Sequence, residues 1–229
     1  MLSKPFRALV LGSSGTIGSA LLHLLQNDPD CERVTGLHRH SAPAIDYDHL
    51  DTIELAYEAL KTEQPYHLII NTIGALHSNQ FMPEKRLADI HSSQLTQQFL
   101  TNAIGPALSI KQFSQLIDPA GGVYATLSAK VGSIADNRLG GWYSYRASKA
   151  ALNMLIKTAA IELKRTKPNL ILAAIHPGTV KSSLSRPFRG DELGREPHHA
   201  AQEILAVLKN LVPADSGTFK SYSGEVIPW

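Results

Sequence analysis

The stretch that most restricts the fold of this chain is Gly12-Ser13-Ser14-Gly15-Thr16-Ile17-Gly18. It lies between a short apolar run, Phe6 to Leu11, and an amphipathic segment, Ser19 to Leu25. An almost uninterrupted apolar run is the pattern of a strand buried on both faces of a parallel sheet. At the turn from such a strand into a helix, Gly12 allows a tight bend. Gly15 lets a pyrophosphate approach the backbone, and Gly18 lets helix and strand pack closely. The start of the helix then offers unpaired N–H groups and a positive dipole end to phosphates. A glycine motif alone is weak evidence, but this one has the strand before it and the helix after it that the mechanism requires. Residues 12–18 are therefore expected to cradle a dinucleotide.

The next strand, Arg33 to Leu37, ends in His38-Arg39-His40. A carboxylate about 20 positions past the glycines usually holds the ribose hydroxyls of NAD; here a histidine and Arg39 stand in that place. A guanidinium suits the additional 2′-phosphate of NADP, so NADP(H) is the expected cofactor, with NAD(H) as the alternative. His38 and His40 lack a third ligand nearby and read as a solvated loop, so no metal site is expected.

Further along, β-type and helical patterns alternate. Ala44 to Tyr47 reads as a short third strand, Asp48 to Lys61 as a helix, and Tyr66 to Ile70 as a buried strand ending in Asn71-Thr72-Ile73-Gly74. Ser92 to Ile117 is helical in pattern, with Asn102 and Gly105 in its middle; both are poor helix formers, and a local distortion is expected there. Val123 to Ser128 and Leu170 to Ile175 read as strands, the second followed by His176-Pro177-Gly178. Ser183 to Pro197 reads as a polar mobile loop, Ala200 to Leu211 as a helix, and Thr218 to Tyr222 as an edge strand. The alternation predicts an α/β fold with a doubly wound parallel sheet of about seven strands. The whole of residues 1–229 is expected to form a single Rossmann-type domain.

Composition narrows the function classes. A formal charge of +2 without a dense Lys/Arg run gives no footprint for nucleic acid, and no apolar stretch has the length of a membrane span. The single cysteine, Cys31, excludes a disulfide framework and suits a reducing compartment, so a cytoplasmic protein is expected.

The candidate chemistry lies in Tyr145-Arg146-Ala147-Ser148-Lys149, inside an apolar periodicity that predicts a helix from Ser144 to Lys164. Residues four apart share a helix face, with Cβ atoms about 6 Å apart. A free phenol has a pKa near ~10, and an ammonium one turn away favours its ionised form. Tyr145 and Lys149 thus make a plausible acid/base pair, although such pairs also occur by chance with the tyrosine merely packed.

Taken together, Gly12-x-x-Gly15-x-x-Gly18, Asp46, Asn71 to Gly74, Asn102, Ser128, Tyr145-x-x-x-Lys149 and Pro177-Gly178 resemble the short-chain dehydrogenase/reductase family over essentially the whole chain. The run Gly140 to Asn153 and the ending Gly224 to Trp229 look most like its C-factor-like branch. The resemblance implies an oxidoreductase that interconverts a carbonyl and an alcohol, acting on a small molecule as a homodimer or homotetramer. It implies that Tyr145 exchanges the proton, that Lys149 holds the nicotinamide ribose and depresses the Tyr145 pKa, and that Asn102 supports a relay water. It places Asp46 and Tyr47 near the adenine. Asn71, Thr72, Ile73 and Gly74 would line the cofactor, and Pro177, Gly178, Val180 and Ser182 would flank the nicotinamide.

Two departures stand out. The glycine spacing is nearer to the extended, epimerase-like members than to the classical ones. Where many members have a serine three residues before a glycine, this chain has Ala129 before Gly132, leaving Ser128 or Ser133 to supply the hydroxyl. Ser128, at a strand end, is the expected one. The missing serine also opens a different reading, a dinucleotide-binding signalling protein with vestigial catalysis. An epimerase or dehydratase ranks last, because only about 50 residues follow Pro177 and such enzymes usually append a substrate domain.

Overall fold

The computed structural model describes Leu2 and residues 4–229. In chain order it runs β1 (Phe6–Leu11), α1 (Thr16–Gln26), β2 (Cys31–Leu37), α2 (Asp51–Leu60), β3 (Leu68–Asn71) and α3 (Ser92–Phe99). A π-helical turn (Leu100–Ile104), α4 (Gly105–Phe113), β4 (Gly122–Leu127), α5 (Tyr143–Leu163) and β5 (Leu170–His176) follow. The chain closes with α6 (Gly190–Leu193), α7 (Pro197–Lys209) and β6 (Thr218–Ser221).

The strands form one sheet in the order β2-β1-β3-β4-β5-β6, with every neighbouring pair parallel. Successive residues of a strand face opposite sides, and each side is covered. Leu9, Ile69, Tyr124 and Leu172 pack with Ile53 of α2, Ile110 of α4 and Ile156 of α5. Val10, Ile70, Ala125 and Ala173 pack with Leu21 and Leu25 of α1 and with Ile204 and Leu208 of α7. This double cover is why the strands read as continuous apolar runs rather than alternating ones.

The sheet has six strands among the described residues, not about seven, because the expected strand at Ala44 to Tyr47 does not pair. Its alternating burial is real: Ile45 and Tyr47 are each only 2% exposed. They are buried beneath helices instead of within a ladder, and the Asp46 N–H donates to Thr52 Oγ1 rather than to a strand. A period of two therefore reported burial correctly and pairing wrongly.

From β1 the chain moves outward to β2 and then returns to β3 on the other side. This makes the carboxyl ends of β1 and β3 the switch point where open α/β sheets bind ligands. The segments leaving those ends are Gly12 to Gly18 and Thr72 to Gly74; Ser128 and Pro177 leave the neighbouring strands β4 and β5.

Candidate active site

The glycine turn adopts the geometry its sequence requires. Gly12 has φ +84°, and a Cβ on it would lie 2.7 Å from Thr72 Oγ1. Gly18 presses against the turn so closely that a Cβ would meet the Gly12 carbonyl oxygen at 2.2 Å. Gly15 is the extended N-cap of α1, which has no side-chain cap and no acidic residue in its first turn. The first-turn N–H groups of Thr16, Ile17 and Gly18 have no intrahelical acceptors, so an uncapped, carboxylate-free helix start faces the crevice. That donor set fits a pyrophosphate.

Around it, Ser13 packs against Gly36 of β2, and Thr72 Oγ1 donates to the Leu11 carbonyl at 2.8 Å, tying the ends of β1 and β3 together. Ser14 and Arg39 are exposed, the latter at the turn after β2. The His40 backbone N–H donates to His38 Nδ1 at 3.1 Å. Among the described residues no group of three or more His, Cys, Asp or Glu side chains converges.

Two residues expected at the cofactor have side chains engaged within the protein. Tyr47 is buried, its ring against Gly105 and its hydroxyl bonded to Ser109 Oγ at 2.8 Å and Asn71 Nδ2 at 2.7 Å. Burial pushes its pKa well up, and the ring presents no face to an adenine. Asn71 is fully buried as well; its amide holds Tyr47 and its Oδ1 accepts the Ile73 N–H, so its side chain shapes the loop rather than a ligand surface. Asp46 is half-buried, with Oδ1 accepting the Asp48 N–H in a turn.

The distortion expected near Asn102 is a π-helical turn, in which the Gly105 N–H reaches back to the Leu100 carbonyl. Pro106 supplies a physical reason. Without an N–H it cannot close the α-helical bond to the Asn102 carbonyl, so the ladder must slip there. The Asn102 side chain is buried and fully engaged. Nδ2 donates to the Ala75 carbonyl at 2.8 Å, to Gln98 Oε1 at 2.6 Å and to Ser148 Oγ at 3.2 Å, while Oδ1 accepts the Ala75 N–H at 3.0 Å. It fastens the loop after β3 to α3 and α5.

Tyr145 and Lys149 lie one turn apart on α5, with Lys149 Nζ 6.0 Å from the Tyr145 ring centre. Lys149 is only 3% exposed and donates to the Leu127 carbonyl at 3.0 Å. Gly74 sits directly above it, where a Cβ would be 3.3 Å from Nζ, and Gly132 packs against its stem. Burial lowers the Lys149 pKa to about 8. Burial also raises the Tyr145 pKa. Desolvation favours the neutral form of each group.

Tyr145 opens onto a cleft of about 390 Å³ that Ser128, Ala129, His176, Pro177, Gly178, Val180, Ser182 and Ile17 also line. Ser128 is buried and its Oγ donates to Asn153 Oδ1 at 2.6 Å; Ser133 is buried and its Oγ accepts the Asp136 N–H at 3.1 Å. Among the described residues neither serine bonds the phenol. His176 is held neutral by burial, its pKa pushed down to about 4.

The cleft is also walled by Leu76, Trp142, Leu184 and Phe188, which sequence reasoning did not single out, and by Lys130, Val131, Thr179 and Ser185. Trp142 packs 4.9 Å from Phe188 and 6.2 Å from Tyr145, centre to centre. The segment read as a mobile loop is instead folded: it holds a 3₁₀ turn at Arg186–Phe188 and α6, laced by Ser182 and Ser185 hydrogen bonds. Its one aromatic residue, Phe188, was the available signal.

The family model described as short chain dehydrogenase matches residues 38–193. Two curated relatives are similar. The 1-hydroxy-2-glutathionyl-2-methyl-3-butene dehydrogenase of Rhodococcus sp. (strain AD45) is 33% identical over 135 residues, covering 59% of this chain and 58% of that one. The C-signal of Myxococcus xanthus is 31% identical over 144 residues, covering 62% and 83%. Among solved structures, the NADPH-bound carbonyl reductase from chicken fatty liver superposes with a TM-score of 0.84 at 22% identity, over 99% of this chain and 95% of that one. The match to the Rhodococcus relative thus spans little more than half of its length.

Proposed function

Since the chain belongs to the short chain dehydrogenase family, we propose that it is an NADP(H)-dependent oxidoreductase that interconverts a carbonyl and an alcohol on a small molecule. The observation that carries the reading is the placement of Tyr145 and Lys149. One turn apart on α5, they lie beside a cleft at the carboxyl ends of β4 and β5, next to the uncapped helix start that fits a pyrophosphate.

A nicotinamide dinucleotide held by the glycine turn and Lys149 would supply the hydride chemistry. The protein supplies the proton. With its pKa raised, Tyr145 is protonated at neutral pH and donates to the carbonyl oxygen during reduction. Lys149, with a pKa of about 8, loses and regains a proton near neutral pH and can restore the phenol's proton. Gly74, directly over Lys149 Nζ, leaves the room a ribose needs. Arg39 is the proposed partner of the 2′-phosphate, Ser128 the proposed donor to the substrate oxygen, and the carbonyl of Asn102 the proposed anchor of a relay water. The leucine and aromatic walls favour a substrate with an apolar body. Assembly as a homodimer or homotetramer is supported by Met154 and Ile161, exposed on α5, and a cytoplasmic setting only by the lone free thiol of Cys31.

One observation favours a second reading. The Ser128 hydroxyl is committed to Asn153, and Ala129 offers only a methyl group to the cleft, which suits a dinucleotide-binding signalling protein with vestigial catalysis. The similarity to the C-signal points the same way. Titration with NADPH and NADH, followed by a panel of carbonyl compounds with the tighter one, separates the two. Turnover supports the enzyme, binding without turnover supports the signalling protein, and no binding of either cofactor defeats both.

A further inference from the structure

We infer that Glu84 is a positioning residue of the active site, its buried carboxylate fixing the start of α5 and with it Tyr145 and Trp142. The inference rests on the reading of Tyr145 as the proton donor.

Helix α5 is 21 residues long, yet nothing at its own start caps it. Its N-cap, Trp142, is left-handed with φ 54°, offers no side-chain acceptor, and is followed by no acidic residue in the first turn. Such a start leaves N–H groups and the positive dipole end uncompensated. The missing acceptor arrives from a residue 60 positions upstream. Glu84 is only 3% exposed; its Oε2 accepts the Ser144 N–H at 3.2 Å and its Oε1 accepts the Ser144 hydroxyl. Ser144 is the second residue of the helix, where a local cap would normally bond. The backbone carbonyl of Glu84 accepts the Trp142 N–H at 2.5 Å. Glu84 therefore grips the residue immediately before Tyr145 at two points and the helix cap at a third. Its own loop is anchored to α3, where Gln94 Nε2 donates to the Met82 carbonyl at 3.0 Å.

The arrangement has a functional logic beyond helix stability. A serine or aspartate at position 142 would cap α5 without a distant partner. That position is instead given to a tryptophan whose ring lines the cleft between Tyr145 and Phe188. Moving the cap to Glu84 frees position 142 for an aromatic ring that lines the cleft. Among the described residues the carboxylate is engaged by Ser144 at the helix start and not by a Lys or Arg, so its removal should be felt along the first turn.

The test uses the full chain with Glu84→Gln, which keeps the shape and removes the charge, alone and combined with Ser144→Ala. Four quantities are read: kcat and KM for carbonyl reduction, the NADPH Kd, the melting temperature, and Trp142 emission in a Trp229→Phe background. Glu84→Gln should lower kcat about tenfold to a hundredfold, the scale of a small misplacement of a reacting group. NADPH affinity should stay within about twofold, and Trp142 emission should shift, because neither Ser144 nor Glu84 lies in the glycine turn. Ser144→Ala should cost less, and adding it to Glu84→Gln should cost little more. An unchanged kcat overturns the inference. So does a kcat loss matched by equal losses in cofactor affinity and melting temperature, the mark of a purely structural role. Should the unmutated chain reduce no carbonyl, the proposed activity fails first. Trp142 emission then decides: a shift in Glu84→Gln upholds the positioning, and an unchanged spectrum overturns it.

Discussion

Lys149→Met should stabilise the protein at neutral pH while destroying the activity proposed for it. Lys149 is 3% exposed, and burial lowers its pKa from 10.5 to about 8. Keeping the ammonium charged inside the fold at about pH 7 therefore costs on the order of 3 kcal/mol. Methionine has nearly the same length without the charge. It also abandons the Leu127 carbonyl, which Nζ holds at 3.0 Å. An orphaned buried acceptor costs about 1–3 kcal/mol, so the expected net gain is about 0–2 kcal/mol. For a domain of this size that raises the melting temperature by up to roughly 8 °C. The pH dependence has a definite sign. Between about 8 and 10.5 the unfolded chain holds more protons at this lysine than the folded one, so the unmutated protein gains stability as pH rises. The variant lacks that gain, and its advantage shrinks toward the upper end of the window. Urea melts of both proteins at about pH 7 and about pH 10 measure it, with other titrating groups cancelling in the difference. A variant less stable at the lower pH, or an advantage that grows with pH, would refute the reasoning.

Two further outcomes are expected. Arg39→Ala should remove most of a ten- to hundred-fold preference for NADPH over NADH, from a charge-assisted contact of about 1.5–3 kcal/mol, as read by fluorescence titration; equal affinities in the unmutated protein would end the idea. Ser128→Ala should lower turnover by roughly 2.7–4 kcal/mol of transition-state stabilisation, whereas Ser133→Ala should change it only a few-fold. Parallel kcat measurements distinguish them, and an active Ser128→Ala would hand the role elsewhere.

What was legible in the sequence was local. The strand, glycine turn and helix at residues 6–26 follow from apolar periodicity and from the need for bare backbone at Gly12 and Gly18, and the structure shows both. The slip near Asn102 was legible too, though its reason was attributed to Asn102 and Gly105. Pro106, which lacks the donor the ladder needs, accounts for it more directly. Ala44 to Tyr47 misled because alternation reports which residues are buried, and burial beneath α4 looks the same as burial in a sheet. The cleft walls and the Glu84 cap were out of reach for another reason. Trp142 meets Phe188, and Ser144 meets Glu84, only after distant segments fold together. No spacing rule spans 60 positions. The pKa of Tyr145 shows the same limit: a neighbouring ammonium is written in the sequence, whereas the desolvation that raises the phenol's pKa is not.

The most direct test of the central claim is Tyr145→Phe, assayed for NADPH-dependent reduction of a carbonyl that the unmutated protein turns over. Phenylalanine keeps the ring beside Trp142 and removes the transferable proton. Turnover should fall about 10²–10⁴-fold, with NADPH affinity little changed. A Tyr145→Phe protein that retains full activity would contradict the account.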